Sequence, residues 1–382
     1  MANFTVPKNI IIGKGIIKEA QTLLTSYGKK AFIVTGKHVV KSTMMDELKE
    51  LLDECKVQYY IFDEITGEPT IAMVEEGVKS YKENSCDYLI GIGGGSPIDA
   101  AKAIGVMISS TCSISDYKGK MIEVKLPPIV AIPTTAGTGS EATKFTVITD
   151  SENDIKMLLK GDTLLPDLAI VDYTFGITAP QSVTVATGLD ALTHAIEAYT
   201  SKKAFALTDA LAISAIRRIM KSLPIVYKDG SNEEARGEMA VAALEAGICI
   251  NNSSVTLVHG MSRPIGALFH VPHGISNAML LTRCLDFAKD GAIEKFATLA
   301  KSIGVAVEED ESETAADKFL LKVKELCDIC DVPTLREYGI NEEKYFSLID
   351  KMAKDAIDSG SPANTMRLVT EEDCKAIYKK VF

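Results

Sequence analysis

Tyr88-Leu-Ile-Gly-Ile-Gly93-Gly-Gly-Ser-Pro-Ile-Asp-Ala-Ala-Lys-Ala-Ile104 joins a strand-like run to a helix-like one through three glycines. Tyr88 to Gly93 is a short apolar run of strand length, and it opens directly into a helix-forming segment. Gly93, Gly94 and Gly95 sit at the junction. Glycines let a backbone approach a ligand closely, Pro97 suits a first helical turn, and a helix N-terminus attracts anionic phosphate. The run is neither a G-x-G-x-x-G fingerprint nor a Walker A loop. A tight turn would account for one or two glycines; three in a row between strand and helix favour a phosphate cradle.

Working outward, the flanks repeat the strand–helix alternation. Asn9–Gly13, Ala31–Gly36 and Val57–Ile65 read as strands, Met44–Cys55 has helical spacing, and Thr70 is placed to cap a helix running through Tyr81. Downstream, the apolar run from Ile129 leads into Thr134-Thr-Ala-Gly-Thr-Gly-Ser140, a loop of hydroxyls and free amides suited to a ribose or nicotinamide. Phe145–Thr149, Ile155–Leu159 and Leu168–Val171 read as further strands. Strands alternating with helices predict an α/β dinucleotide-binding domain with a mainly parallel sheet. The pattern changes near Thr178-Ala-Pro180, after which Ala, Leu, Glu and Lys recur at helical spacing. The expected division is 1–180, the α/β domain, and 181–382, an all-α metal-binding domain.

The helical half holds three of the chain's five histidines in one arrangement. Asp190 and His194, in Thr187-Gly-Leu-Asp-Ala-Leu-Thr-His-Ala-Ile-Glu197, are four apart and leave one helix face together. His259 ends the run from Val255, and His273 lies in a Pro-His-Gly turn. One carboxylate and three imidazoles suit Fe(II), Zn(II), Mn(II) or Co(II), and the lack of a thiolate argues against a structural zinc. A helix cap plus satisfied core histidines would explain any one of these residues singly.

Composition excludes several classes. A net charge of −11 argues against nucleic acid, which needs clustered Lys and Arg. The N-terminus lacks a signal-peptide pattern and no apolar run is long enough to span a bilayer, so a cytoplasmic, non-membrane protein is expected. Eight scattered cysteines make no disulfide framework. Cys327-Asp-Ile-Cys330 lacks a second pair for zinc and reads as buried helix cysteines in a helix ending before Val332-Pro333.

Taken in order, the motifs Gly93 to Lys102, Pro133 to Thr143, Gly188 to Glu197, and His259-Gly-Met with Val271-Pro-His-Gly274 resemble the iron-containing (group III) alcohol dehydrogenases. That family includes lactaldehyde reductase and 1,3-propanediol dehydrogenase, and the resemblance covers essentially the whole chain. It implies NAD(P)-linked interconversion of a small alcohol or diol and its aldehyde, in a cleft between the two domains, and a homo-oligomer of two or more copies. Asp190, His194, His259 and His273 match the metal-ligand positions, with Fe(II) the expected ion and Zn(II) the alternative. Gly94, Gly95, Ser96, Asp99, Thr134, Thr135, Thr138, Ser140 and Lys156 match the cofactor contacts.

Two positions depart from that family's pattern. Arg263 stands where many members carry a histidine assigned to proton transfer, and a guanidinium does not titrate near neutrality. Arg263 would pair a carboxylate or hold an anionic substrate group, which leaves His270 as the expected proton carrier. Gly36 stands where NAD-preferring members often carry Asp; without that carboxylate, and with Lys37, His38 and Lys41 nearby, the balance tips toward NADP(H). Glu68 pulls the other way. Rival readings are a polyol dehydrogenase, a dehydroquinate-synthase-like enzyme of the same fold, or a non-catalytic nucleotide- or metal-binding relative.

Overall fold

The computed structural model describes residues 3–153 and 155–382. The chain forms two compact units, Phe4–Ala179 and Pro180–Phe382.

The first unit is built on a six-stranded sheet of order β1-β8-β5-β4-β2-β3. Its strands are β1 (Asn9–Gly13), β2 (Lys30–Val34), β3 (Gln58–Phe62), β4 (Tyr88–Gly93), β5 (Ile129–Pro133) and β8 (Leu168–Asp172). Every pairing in it is parallel. The strands β4, β5 and β8 are buried along their whole length, which is why they read as unbroken apolar runs. Alternate side chains feed two cores: Phe32, Val34 and Leu89 enter one, while Ala31, Ile33, Ile90 and Ile92 enter the other. The segments α1 (Gln21–Tyr27), α2 (Lys37–Val40), α3 (Thr43–Glu54), α4 (Ile71–Glu83) and α5 (Gly95–Ser109) complete the unit. Thr70 caps α4, its hydroxyl accepting from the Met73 amide at 3.3 Å. Two of the expected strands, β6 (Phe145–Asp150) and β7 (Ile155–Lys160), stand apart from the parallel sheet as an antiparallel ribbon.

The second unit is helical: α6 (Gln181–Tyr199), α7 (Ala206–Lys228), α8 (Glu233–Asn252), α9 (Leu257–Phe269), α10 (His273–Lys289), α11 (Ile293–Ser302), α12 (Ser312–Ile329), α13 (Glu342–Ser347), α14 (Ile349–Asp358) and α15 (Glu371–Val381). Residues Gly188 through Tyr199 of α6 are buried without a break, so this helix is the core of the unit. Two close approaches set its neighbours. A Cβ at Gly188 would fall 2.7 Å from Leu223 of α7, and one at Gly274 would fall 2.2 Å from the Ala186 carbonyl. The start of α10 therefore lies directly on α6. The tail is tied in by the Tyr378 hydroxyl, which donates to the Met261 carbonyl at 2.6 Å. Cys327 and Cys330 are buried at the end of α12, as their helical setting predicts. Among the described residues no single helix is long and apolar enough to cross a membrane.

Candidate active site

In the first unit, the parallel register places Gly93 beside Pro133, so the loops that follow β4 and β5 leave the same sheet edge together. Gly94 is the N-cap of α5 and no side chain caps that end, which leaves the Gly95 and Ser96 amides available to an anion. Gly93 adopts φ 147°, which strongly favours glycine, and a Cβ there would meet the Pro97 ring at 2.7 Å. A Cβ on Gly95 would lie 3.0 Å from Thr138, and one on Gly94 would lie 3.7 Å from the Thr135 hydroxyl. The Thr134–Ser140 loop thus lies against the glycine turn, as a cradle requires.

Asp99 and Lys156 are committed to bonds within the protein. The Ser140 hydroxyl and the Val147 amide donate to the two Asp99 carboxylate oxygens, which pins the loop to β6. Lys156 pairs with Glu68 at 2.7 Å. Lys102 is fully buried, and its ammonium donates to the carbonyls of Ser140, Thr143 and Phe145 at 2.7, 2.8 and 2.8 Å. Gly36 carries a packing constraint beyond the missing carboxylate: a Cβ there would sit 2.8 Å from the Ile65 carbonyl. The positive charge read at Lys37 is offset by Glu64, 3.5 Å away.

In the second unit, Asp190, His194, His259 and His273 bring their ligand atoms within 4.8 Å of one another. Asp190 and His194 project from the middle of α6, His259 lies in the first turn of α9, and His273 is the first residue of α10. The Asp190 Oδ1 atom stands 3.8, 3.6 and 3.7 Å from the Nε2 atoms of His194, His259 and His273. These separations are too long for hydrogen bonds. They are close to the edges of a coordination shell, about 3.4 Å for donors held tetrahedrally ~2.1 Å from an ion. The donor set and its spacing therefore fit a divalent ion. Asp190, His194 and His259 are buried, whereas the His273 side chain is 44% exposed, so the cluster has one open side.

Burial by itself would raise the Asp190 carboxyl, but the imidazoles of His194, His273 and His259 hold it below the ordinary carboxylate range. Glu197 behaves likewise, burial opposing and His259 prevailing. Glu197 is one of two residues that bond to the clustered side chains without being among the four expected from the sequence. Its Oε2 lies 2.6 Å from His259 Nδ1, and its Oε1 accepts from the Thr256 hydroxyl at 2.8 Å and the Val258 amide at 2.6 Å. That fixes the ring so that Nε2 faces the cluster, as a carboxylate behind a metal-binding imidazole does. The signal was present: Asp190, His194 and Glu197 follow the i, i+4, i+7 spacing of one helix face. The other residue is Asn277, four after His273 and fully buried, whose amide donates to Asp190 Oδ1 at 2.7 Å.

Arg263 donates to the Ser361 hydroxyl at 2.9 Å and pairs with no carboxylate among the described residues. His270 ends α9 in the left-handed conformation, φ 56°, and is exposed. Among the described residues no hydrogen bond joins its ring to the four clustered side chains, so the relay role expected of it has no contact behind it.

Comparison with known proteins agrees along the whole chain. The family model described as iron-containing alcohol dehydrogenase matches residues 7–173, and that of the Fe-containing alcohol dehydrogenase family, C-terminal, matches residues 184–382. The chain is 37% identical to the NAD-dependent methanol dehydrogenase of Bacillus methanolicus, covering 99% of each. It is 34% identical to the NADPH-dependent butanol dehydrogenase of Clostridium saccharobutylicum, covering 100% of this chain and 98% of that one. A solved structure of 1,3-propanediol oxidoreductase superposes with a TM-score of 0.97 at 34% identity, covering all of both chains.

Proposed function

The chain belongs to the iron-containing alcohol dehydrogenase family and is an NAD(P)-dependent enzyme interconverting alcohols and aldehydes; from that premise we propose which residues carry the reaction. The convergence of Asp190, His194, His259 and His273 is the observation that bears most weight. These four hold one divalent ion, Fe(II) in the first instance. Such an ion supplies Lewis acidity to a substrate oxygen, while the nicotinamide supplies or accepts hydride. Glu197 orients His259, Asn277 holds the Asp190 carboxylate, and half-exposed His273 borders the side from which a substrate oxygen arrives.

Cofactor phosphates rest on the Gly95 and Ser96 amides at the start of α5, with Thr135 and Thr138 alongside and Thr134 at the head of that loop. Asp99 and Ser140 shape that loop by bonding one another. NADP(H) is accepted, a reading supported by the absence of a carboxylate at Gly36 and opposed by the pairing of Lys37 with Glu64. The substrate is a small alcohol or diol, handled by a cytoplasmic homo-oligomer.

The test is anaerobic loading with Fe(II), then turnover of short alcohols with NAD and with NADP, alongside metal analysis. Asp190→Ala and His259→Ala are expected to lose both bound ion and turnover while still folding. Full turnover by metal-free His259→Ala protein would remove the assignment.

A further inference from the structure

Arg263 lies one helical turn beyond His259 on α9, so the two side chains leave the same face with their Cβ atoms about 5–6 Å apart. Its guanidinium carries five N–H donors, and one neutral acceptor, the Ser361 hydroxyl, is its hydrogen-bond partner among the described residues. No carboxylate lies within 4.0 Å of it among those residues.

The acidic groups nearby are already engaged. Both Glu197 oxygens are taken up by Thr256, Val258 and His259, and Asp190 Oδ1 by Asn277. Other partly buried or buried arginines are better served. Arg218 pairs with Glu238 at 2.6 Å, and Arg236 donates to the Gly230 carbonyl and the Thr184 hydroxyl, each at 2.8 Å. Burial disfavours the charged form of Arg263, and the field of Glu197 restores part of that cost without a direct contact. Arg263 also bears electrostatically on His273, the one exposed member of the cluster. With Asp190 and Glu197 balancing a divalent ion at the cluster, Arg263 would have no carboxylate of its own.

We propose that Arg263 is a specificity-determining residue that binds a carboxylate on the substrate, making the preferred substrate a short aldehyde or alcohol with a carboxylate at its far end. The carbonyl end meets the cluster of Asp190, His194, His259 and His273, and the carboxylate takes the free N–H groups of the guanidinium in a fork-to-fork pair. This rests on the dehydrogenase reading above and narrows it to a substrate class.

The experiment compares Fe(II)-loaded wild type, Arg263→Met and Arg263→Lys for succinate semialdehyde against butyraldehyde. Wild type is expected to favour the charged aldehyde. The ratio of the two kcat/KM values should fall about 10- to 100-fold in Arg263→Met, chiefly through KM, and less in Arg263→Lys. A wild-type preference for butyraldehyde, or an unchanged ratio in Arg263→Met, overturns the proposal. Calorimetric titration of 4-hydroxybutyrate into each protein provides a readout independent of turnover. If wild type reduces neither aldehyde, the dehydrogenase reading fails on its own account. Tighter binding of 4-hydroxybutyrate by wild type than by Arg263→Met then still supports the anion site, and equal binding overturns it. Should Arg263→Met fail to fold, Arg263→Lys carries the comparison, with a lowered ratio supporting the site and an unchanged one overturning it.

Discussion

Glu197 fixes the tautomer of His259. With the carboxylate 2.6 Å from Nδ1, the ring proton stays on that nitrogen and Nε2 is left as a lone-pair donor. Glu197→Gln keeps the shape but turns an N–H group toward Nδ1, which drives the ring proton to Nε2, the atom proposed to bind the ion. Metal affinity is expected to fall about 10- to 100-fold, read by titration of the metal-free protein with Fe(II) or Zn(II). In the other unit, burial pushes the Glu141 carboxyl up to about 7, against the pull of Lys102. A raised carboxyl means the folded chain keeps a proton that the unfolded chain has released. Stability from this group is therefore full below pH 4.5 and is lost as pH rises through about 7. Glu141→Gln removes that loss. Relative to wild type it should gain on the order of 1–3 kcal/mol at pH 8 and about nothing at pH 4, measured by denaturant unfolding at the two pH values. An equal difference at both would show that Glu141 is already ionised in the folded protein.

At the scale of elements, the second site is an encounter of three helix segments. The helix α6 supplies a fixed pair from its buried face, while α9 and α10 each present a ligand from the first turn, where one end of the helix is free to meet a neighbour. Gly274 makes that meeting tight, because the space where its Cβ would stand holds the Ala186 carbonyl, 2.2 Å off. Gly274→Ala should lift the start of α10 from α6 and carry His273 with it. The expected cost is about 1–3 kcal/mol of stability together with a clear loss of bound metal. Normal metal content in a stably folded Gly274→Ala protein would show that His273 reaches the site without this contact.

At the scale of the molecule, an ion held by Asp190, His194, His259 and His273 would be a folding ligand of the helical unit. A cluster assembled from positions 190 to 273 does not exist in an unfolded chain, so binding favours the folded state. At a free ion concentration a thousand times its dissociation constant, the gain is about 4 kcal/mol. Chelation of the metal-loaded protein should lower its thermal midpoint, and Fe(II) should restore it. A midpoint indifferent to chelator would argue that the four side chains hold no ion.

The elements and the candidate donors are legible in the order of the amino acids. Tyr88–Gly93 is buried on both faces and so reads as an unbroken apolar run, and the three glycines at its end, Gly93, Gly94 and Gly95, have few other uses between a strand and a helix. Asp190 and His194 were legible as a pair because helical spacing is local. What folding alone decided is everything that depends on chain segments distant in sequence. Nothing local says that β6 and β7 pair with each other and stay out of the parallel sheet, since both arrangements satisfy the same apolar pattern. Nor does any spacing show that Asp99 and Lys156 are bonded to Ser140 and Glu68, that a Cβ at Gly36 would meet Ile65, or that Arg263 finds a hydroxyl where it could have found a carboxylate. The periodicity of a sequence records which face of an element is buried, because burial acts residue by residue; which partner a polar group finds there is set by tertiary packing, which no local pattern encodes.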